Sequence, residues 1–169
     1  MNDKRLYLGI DIGSVSVDTV ILDRRGEILE DHYDRIAGQP VATVVRVLRE
    51  IFTRHSPEQI AGVAATGSGG RLIVSLLGGD FVNEVIAQAK AIARFYPDVR
   101  TVIEMGGQDS KLLLMTRDGG SGEPRLEDFA VSSACAAGTG SFLDQQASRL
   151  KLSIEEFGQV ALKSKAPPR

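Results

Sequence analysis

One short pattern occurs twice in this chain, and that repetition constrains its fold more than any other feature. It reads Ile10-Asp11-Ile12-Gly13-Ser14-Val15-Ser16 near the start and Ile103-Glu104-Met105-Gly106-Gly107-Gln108-Asp109 in the second half. Each copy follows an apolar, β-branched run and precedes another, Thr19-Val20-Ile21-Leu22 in the first case and Leu112-Leu113-Leu114-Met115 in the second. Each copy is therefore a strand, a tight Gly-bearing turn and a strand. Glycine at such a turn permits positive φ and lets backbone N–H groups approach an anion with no Cβ in the way. An acidic residue just ahead of it is placed to hold a divalent cation, directly or through water. Two such turns facing each other would grip a polyphosphate from both sides.

The pattern between and after the copies predicts an α/β chain. Strands are expected at Leu6 to Ile12, Val17 to Leu22 and Ile28 to Tyr33, an antiparallel meander with a turn at Arg24-Arg25-Gly26. Pro40 opens a helix whose apolar face is read as Val41, Val44, Val45, Leu48 and Phe52, with Arg46, Arg49 and Glu50 opposite. Ala61 to Ala65 reads as a fourth strand, Gly67 to Leu77 as a Gly-rich turn and short helix, Asp80 to Val82 as a fifth strand and Glu84 to Phe95 as a helix. Strands joined by helices cross over right-handedly and pair in parallel, so a mixed sheet is expected, the antiparallel meander plus parallel strands.

Pro97-Asp98 marks the expected boundary between a first lobe, 1–96, and a second, 97–169. There the meander begins again near Arg100 to Met105, Lys111 to Thr116 and Arg125 to Phe129, with a flexible turn at 118–122. Helices follow from about Gly138 to Leu150 and from Ser153 to about Lys163. The second lobe lacks the β-α-β-α half that completes the first, and the chain reads as a truncated piece of a longer protein.

Composition removes several function classes. A net charge of −2, with twenty Lys and Arg scattered among twenty-two acids, gives no basic field for nucleic acid. No apolar run approaches the roughly 20 residues that span a bilayer, and the start of the chain leads straight into a strand, so a cytoplasmic protein is expected. The single cysteine, Cys135, excludes an internal disulfide framework. His32 and His55 read as solvated surface residues without partners at metal-ligand spacing.

Three segments in this order resemble one family: Gly9-Ile10-Asp11-Ile12-Gly13-Ser14, Glu104-Met105-Gly106-Gly107-Gln108-Asp109-Ser110-Lys111, and Cys135-Ala136-Ala137-Gly138-Thr139-Gly140-Ser141-Phe142-Leu143. With Ala65-Thr66-Gly67-Ser68-Gly69-Gly70 and Asn83-Glu84-Val85-Ile86-Ala87, they are similar to the ATP-dependent activators of 2-hydroxyacyl-CoA dehydratases and the ATPase subunits of benzoyl-CoA reductases. The resemblance covers nearly the whole chain. It implies the actin-like (ribonuclease H-like) ATPase fold shared with acetate kinase, sugar kinases and heat-shock ATPases, with ATP or ADP between two duplicated lobes. It also implies a role in anaerobic metabolism: ATP hydrolysis drives transfer of one electron from a [4Fe-4S] cluster shared across a homodimer to a dehydratase or reductase partner. Reduced ferredoxin or flavodoxin is then the donor, and a tandem activase unit is an alternative to the homodimer.

Cys135 matches the first cluster cysteine of that family. It precedes Gly138-Thr139-Gly140 at an expected helix start, where the dipole lowers a thiolate's pKa. A cubane cluster takes four thiolates, which the family obtains from two subunits with two each. The family position of the second ligand lies downstream of Arg169, so the isolated fragment is expected to be inactive.

Chemistry assigns the other roles. Asp11 is placed to organise Mg²⁺ water at the β- and γ-phosphates, with the backbone N–H groups of Gly13, Ser14, Val15 and Ser16 on phosphate oxygens. Gly106 and Gly107 do the same in the second copy. Gln108 orients the attacking water and Asp109 holds Mg²⁺ or that water, two assignments that are interchangeable. Glu84 is a base, a ligand of Mg²⁺ water, or only a helix-start carboxylate. Gly67 to Gly70 is an ordinary loop leading into a helix, or it takes part in nucleotide contact or lobe motion.

One departure stands out. Where the family often has threonines and then a lysine, this chain has Val15, Val17 and Asp18. Asp18 would repel a polyphosphate unless it faces away or meets Mg²⁺. The rival readings are a small-molecule kinase of the same superfold, with Cys135 structural, and a non-catalytic nucleotide-binding module.

Overall fold

The computed structural model describes residues 5–132 and 139–166. The chain divides into two compact units, Met1–Val99 with Thr116–Leu126, and Arg100–Met115 with Glu127–Arg169.

The first unit is built on a five-stranded sheet in the order β3-β2-β1-β4-β5. β1 (Leu6–Ile12) pairs antiparallel with β2 (Ser16–Leu22), and β2 pairs antiparallel with β3 (Ile28–Arg35). On its other side β1 pairs in parallel with β4 (Ile60–Thr66), which pairs in parallel with β5 (Asp80–Phe81). The meander plus parallel strands is thus present as one mixed sheet. Alternation along β1 buries Leu6, Leu8, Ile10 and Ile12, and along β2 it buries Val17 and Ile21, all toward one core.

Helix α1 (Pro40–Arg54) covers that core with Val44, Val47, Leu48 and Ile51, and α2 (Gly70–Leu77) adds Ile73. Here the expected helix face is corrected. Val41, Val45 and Phe52 are exposed, whereas Val47 and Ile51 are fully buried. The helix carries more apolar residues than one stripe holds, and i, i+3, i+4, i+7 spacing also fits 44, 47, 48 and 51; packing on β1 and β2 selects this second stripe.

Polar contacts fasten α1 to edge strand β3. Arg46 Nη2 bonds Asp34 Oδ1 at 2.7 Å, and Arg54 pairs with Glu30. Contrary to the reading of solvated histidines, both rings meet the same carboxylate. His32 Nε2 lies 2.5 Å from Glu30 Oε1 and His55 Nε2 lies 2.9 Å from Glu30 Oε2, the side chains being only 23% and 21% exposed. The Arg54 hydrogen bond, helped by those of His32 and His55 and opposed by burial, lowers the Glu30 carboxyl to about 2.

Helix α3 (Glu84–Phe95) completes the unit, its N-terminus capped by Asn83 Oδ1, which accepts from Val85 N at 2.9 Å. Among the described residues no helix is long and apolar enough to cross a membrane.

In the second unit β6 (Thr101–Met105) pairs antiparallel with β7 (Ser110–Arg117), and β8 (Pro124–Val131) lies beyond β7. β7 buries Lys111, Leu113 and Met115 on one face. Helices α4 (Gly140–Arg149) and α5 (Ile154–Ala161) follow, the latter opened by a Ser153/Glu156 capping box.

Candidate functional site

The first candidate turn closes by a hydrogen bond from Gly13 N to Ser16 O at 3.0 Å, with Ser14 and Val15 at its tip. The second closes identically, Gly106 N to Asp109 O at 3.0 Å, with Gly107 and Gln108 at the tip. Neither Gly13 nor Gly106 adopts positive φ, so the expected conformational reason for glycine does not apply there. What the missing Cβ provides is bare backbone beside the tip. Ser14 and Gln108 are exposed, and the other turn residues are partly so.

Register extends the equivalence into the strands. Asp11 stands opposite Asp18 across β1 and β2, and Glu104 stands opposite Lys111 across β6 and β7. In the first hairpin Ser16 Oγ donates to Asp18 Oδ2 at 2.9 Å. Burial raises the Asp18 carboxyl above its ordinary value, the Ser16 bond opposes this, and the Asp34 charge adds to it. Asp18 therefore does not turn to the opposite face from Asp11; the two carboxylates share a face at adjacent positions. In the second hairpin Lys111 Nζ donates to Glu104 Oε2 at 3.0 Å and to Asp109 Oδ1 at 2.8 Å, and the lysine is only 6% exposed. Asp109 is thus oriented by a buried ammonium. No single-position reading of the sequence exposed this role of Lys111; superposing the two copies, 11 with 104 and 18 with 111, would have done so.

The loop after β4 lies against the first turn. Gly69 N donates to Ile12 O at 3.0 Å, and Ser68 Oγ donates to the same oxygen at 3.3 Å. Gly67, at φ +77°, sits so close that a Cβ there would fall 2.3 Å from Asp11 Oδ1. Thr66 stands in register with Asp11, and its buried Oγ1 has no hydrogen-bond partner. Glu84 is the first residue of α3, beyond β5, which is separated from β1 by β4. Asp11, the penultimate residue of β1, and the 67–70 loop and Glu84, which follow β4 and β5, thus lie toward the C-terminal ends of these parallel strands, the edge at which open α/β sheets take ligands. Gly106, Gly107, Gln108 and Asp109 gather separately on the second turn, where the start of α4 is seated by Gly140 N to Gly106 O and Ser141 N to Gly107 O, both 2.9 Å. Cys135 lies outside the described residues.

Among the described residues no group of three or more His, Cys, Asp or Glu could hold a metal ion. The exposed Asp11 carboxylate, beside the orphaned Thr66 Oγ1, suits Mg²⁺ carried on a nucleotide, because that ion keeps several waters and uses one or two carboxylates plus phosphates. The residues present fit such an ion. They do not fit a cubane cluster within one chain, since the chain has a single cysteine.

The chain is similar to the 2-hydroxyisocaproyl-CoA dehydratase activator of Clostridioides difficile, 33% identical over 93% of this chain and 57% of the relative. A solved structure of the activator of the 2-hydroxyisocaproyl-CoA dehydratase from Clostridium difficile, with bound ADPNP, superposes with a TM-score of 0.81 at 31% identity, over 96% of this chain and 59% of that one. The Acidaminococcus fermentans (R)-2-hydroxyglutaryl-CoA dehydratase component A gives 0.82 at 28% identity, over 97% and 61%. This chain therefore spans about three fifths of the length of these three proteins. Its fold is the α/β actin-like ATPase fold of these activators. The family model for BadF/BadG/BcrA/BcrD ATPases matches residues 8–169, and the chain belongs to that family.

Proposed function

We infer that this chain is the ATP-binding and ATP-hydrolysing part of an activator of a 2-hydroxyacyl-CoA dehydratase or benzoyl-CoA reductase-type enzyme. The observation that carries the reading is the doubled turn: two hairpins closed by the same Gly N to i+3 O bond, each with an acidic residue two positions before the glycine. The two ATPase lobes of this reading are 1–96 and 97–169; the compact units differ from them in placing 116–126 with the first.

In this reading backbone N–H groups of Ser14, Val15 and Ser16 hold phosphate oxygens, the Gly13 N–H of the expected set being engaged in closing the turn, and Asp11 holds the water shell of the cation. Mg²⁺, when bound, neutralises charge on the β- and γ-phosphates. In the second turn Gly107 offers its N–H to phosphate, while Gly106, whose N–H closes the turn, leaves room beside it. Gln108, exposed at the tip, orients the attacking water, and Asp109, steered by Lys111, accepts a hydrogen bond from it. Glu84 holds a further water at the start of α3. A [4Fe-4S] cluster, reduced by ferredoxin or flavodoxin, would supply the one electron whose delivery to the partner enzyme in the cytoplasm ATP turnover gates. Cys135 would be one ligand of that cluster, shared between two copies of the chain or with a tandem unit.

The test, made on the protein extended past Arg169, combines ATP hydrolysis with anaerobic iron and acid-labile sulfide analysis of wild type, Asp109→Asn and Cys135→Ala. The reading predicts that Asp109→Asn stops hydrolysis and keeps iron, while Cys135→Ala loses iron. Loss of iron in Asp109→Asn, or none in any protein, would contradict this division of roles.

A further inference from the structure

We propose that Gly67 is a positioning residue for the Asp11 carboxylate, an inference that rests on Asp11 being the carboxylate that serves the nucleotide's Mg²⁺. Gly67 is one of the described glycines held at positive φ, +77°, and its Cα faces the first turn at close range. A Cβ there would lie 2.3 Å from Asp11 Oδ1, 2.5 Å from Ile12 O and 2.7 Å from the Ile12 carbonyl carbon. The bare Cα is thus a wall against which the Asp11 carboxylate rests. That wall is anchored on both sides. Gly69 N and Ser68 Oγ donate to Ile12 O at 3.0 and 3.3 Å. Gly70 N bonds Gly67 O at 3.2 Å and Ile73 N bonds Gly69 O at 3.3 Å, which ties the loop to the first turn of α2.

Mg²⁺ demands near-ideal octahedral geometry at about 2.0–2.1 Å, so a carboxylate that orders its water shell tolerates displacement of only about 0.5 Å. A side chain at 67 displaces Asp11 and the Ile12 carbonyl together, because backbone and carboxylate are both within contact of the new atom. Gly67 thereby sets how well the first turn uses its cation, while touching neither cation nor nucleotide itself.

Two other glycines separate this role from general strain. Gly38 has φ +79° with nothing within 4 Å of the place a Cβ would take, so Gly38→Ala carries the backbone cost alone. Gly78, at φ +78° and likewise with nothing within 4 Å of the place a Cβ would take, repeats that control at the end of α2. The experiment titrates ATP binding to the full chain by calorimetry at a series of Mg²⁺ concentrations, with thermal melts of each protein. Gly67→Ala is expected to raise the Mg²⁺ needed for half-maximal tightening of ATP by tenfold or more, with Gly38→Ala and Gly78→Ala within about twofold of wild type. A Gly67→Ala value within twofold of wild type, or an equal shift in either control, overturns the proposal. Should Gly67→Ala not fold, Gly67→Asn, which takes the left-handed region at lower cost, is read in the same titration against the same limits. A wild-type protein whose ATP binding ignores Mg²⁺ overturns the underlying reading and this proposal with it, and is told apart because it appears without any substitution.

Discussion

Asp18 and Lys111 occupy the same place in the two copies of the hairpin, one opposite Asp11 and the other opposite Glu104, and they carry opposite charge. The first turn is therefore followed by paired carboxylates. The second is followed by an ammonium bonded to two carboxylates, at 3.0 and 2.8 Å. In the proposed function this asymmetry makes the first turn the one that would depend on a cation to accept a polyphosphate.

Replacing Asp18 with lysine copies the second hairpin's charge into the first. Asp18→Lys is expected to tighten ATP about tenfold, roughly 1.4 kcal/mol, and to weaken its dependence on Mg²⁺. Calorimetric titration with and without Mg²⁺ checks this. An unchanged or weaker affinity would place the phosphates away from Asp18.

Lys111→Met keeps the volume of the stem and removes the buried charge. Glu104 and Asp109 then face each other without their shared cation, at a cost of about 2–3 kcal/mol, at the low end for a broken ion pair because both carboxylates are partly in water. Urea unfolding reads the stability. ATP hydrolysis should fall by more than ATP affinity, since Asp109 loses its orienting partner while the turn backbone is retained.

The Glu30 cluster gives a pH signature. Its carboxyl falls from an ordinary 4.5 to about 2 in the folded chain, chiefly through the Arg54 hydrogen bond. A depressed carboxylate stabilises the fold above the unfolded value, and the contribution is lost as pH falls from about 4.5 toward 2. Melts of wild type should show a stability loss across that window that Glu30→Gln lacks. The variant should also be less stable at pH 7, by about 1–2 kcal/mol. Parallel pH profiles would contradict the role assigned to the cluster.

Within α1, Ile51→Ala should cost about 2–5 kcal/mol, as for a fully buried aliphatic side chain, whereas Val45→Ala on the exposed side should cost under about 0.5 kcal/mol. Equal losses at the two positions would mean that the helix is seated on the other stripe.

The succession of strands along the chain and the doubled turn are legible in the sequence because both rest on local signals. β-Branched runs mark β1 and β6, and glycine marks each turn. The seating of α1 is not legible, because the apolar residues along the helix support two stripes and only tertiary packing chooses between them. The two histidines escape a sequence reading for a related reason. His32 and His55 are far apart in the chain, and they converge only because α1 returns alongside β3 to Glu30. Gly67 is visible as part of a Gly-rich loop, but its contact with Asp11 follows from the parallel register of β1 with β4, which no local pattern specifies.

The most direct test of the account is ATP titration of the full chain in Mg²⁺, comparing wild type with Asp11→Asn by calorimetry. The account predicts saturable binding at one ATP per chain in wild type and an affinity at least about tenfold weaker, roughly 1.4 kcal/mol, in Asp11→Asn. No binding in wild type, or equal affinity in the two proteins, would contradict the assignment of the first turn to phosphate and cation.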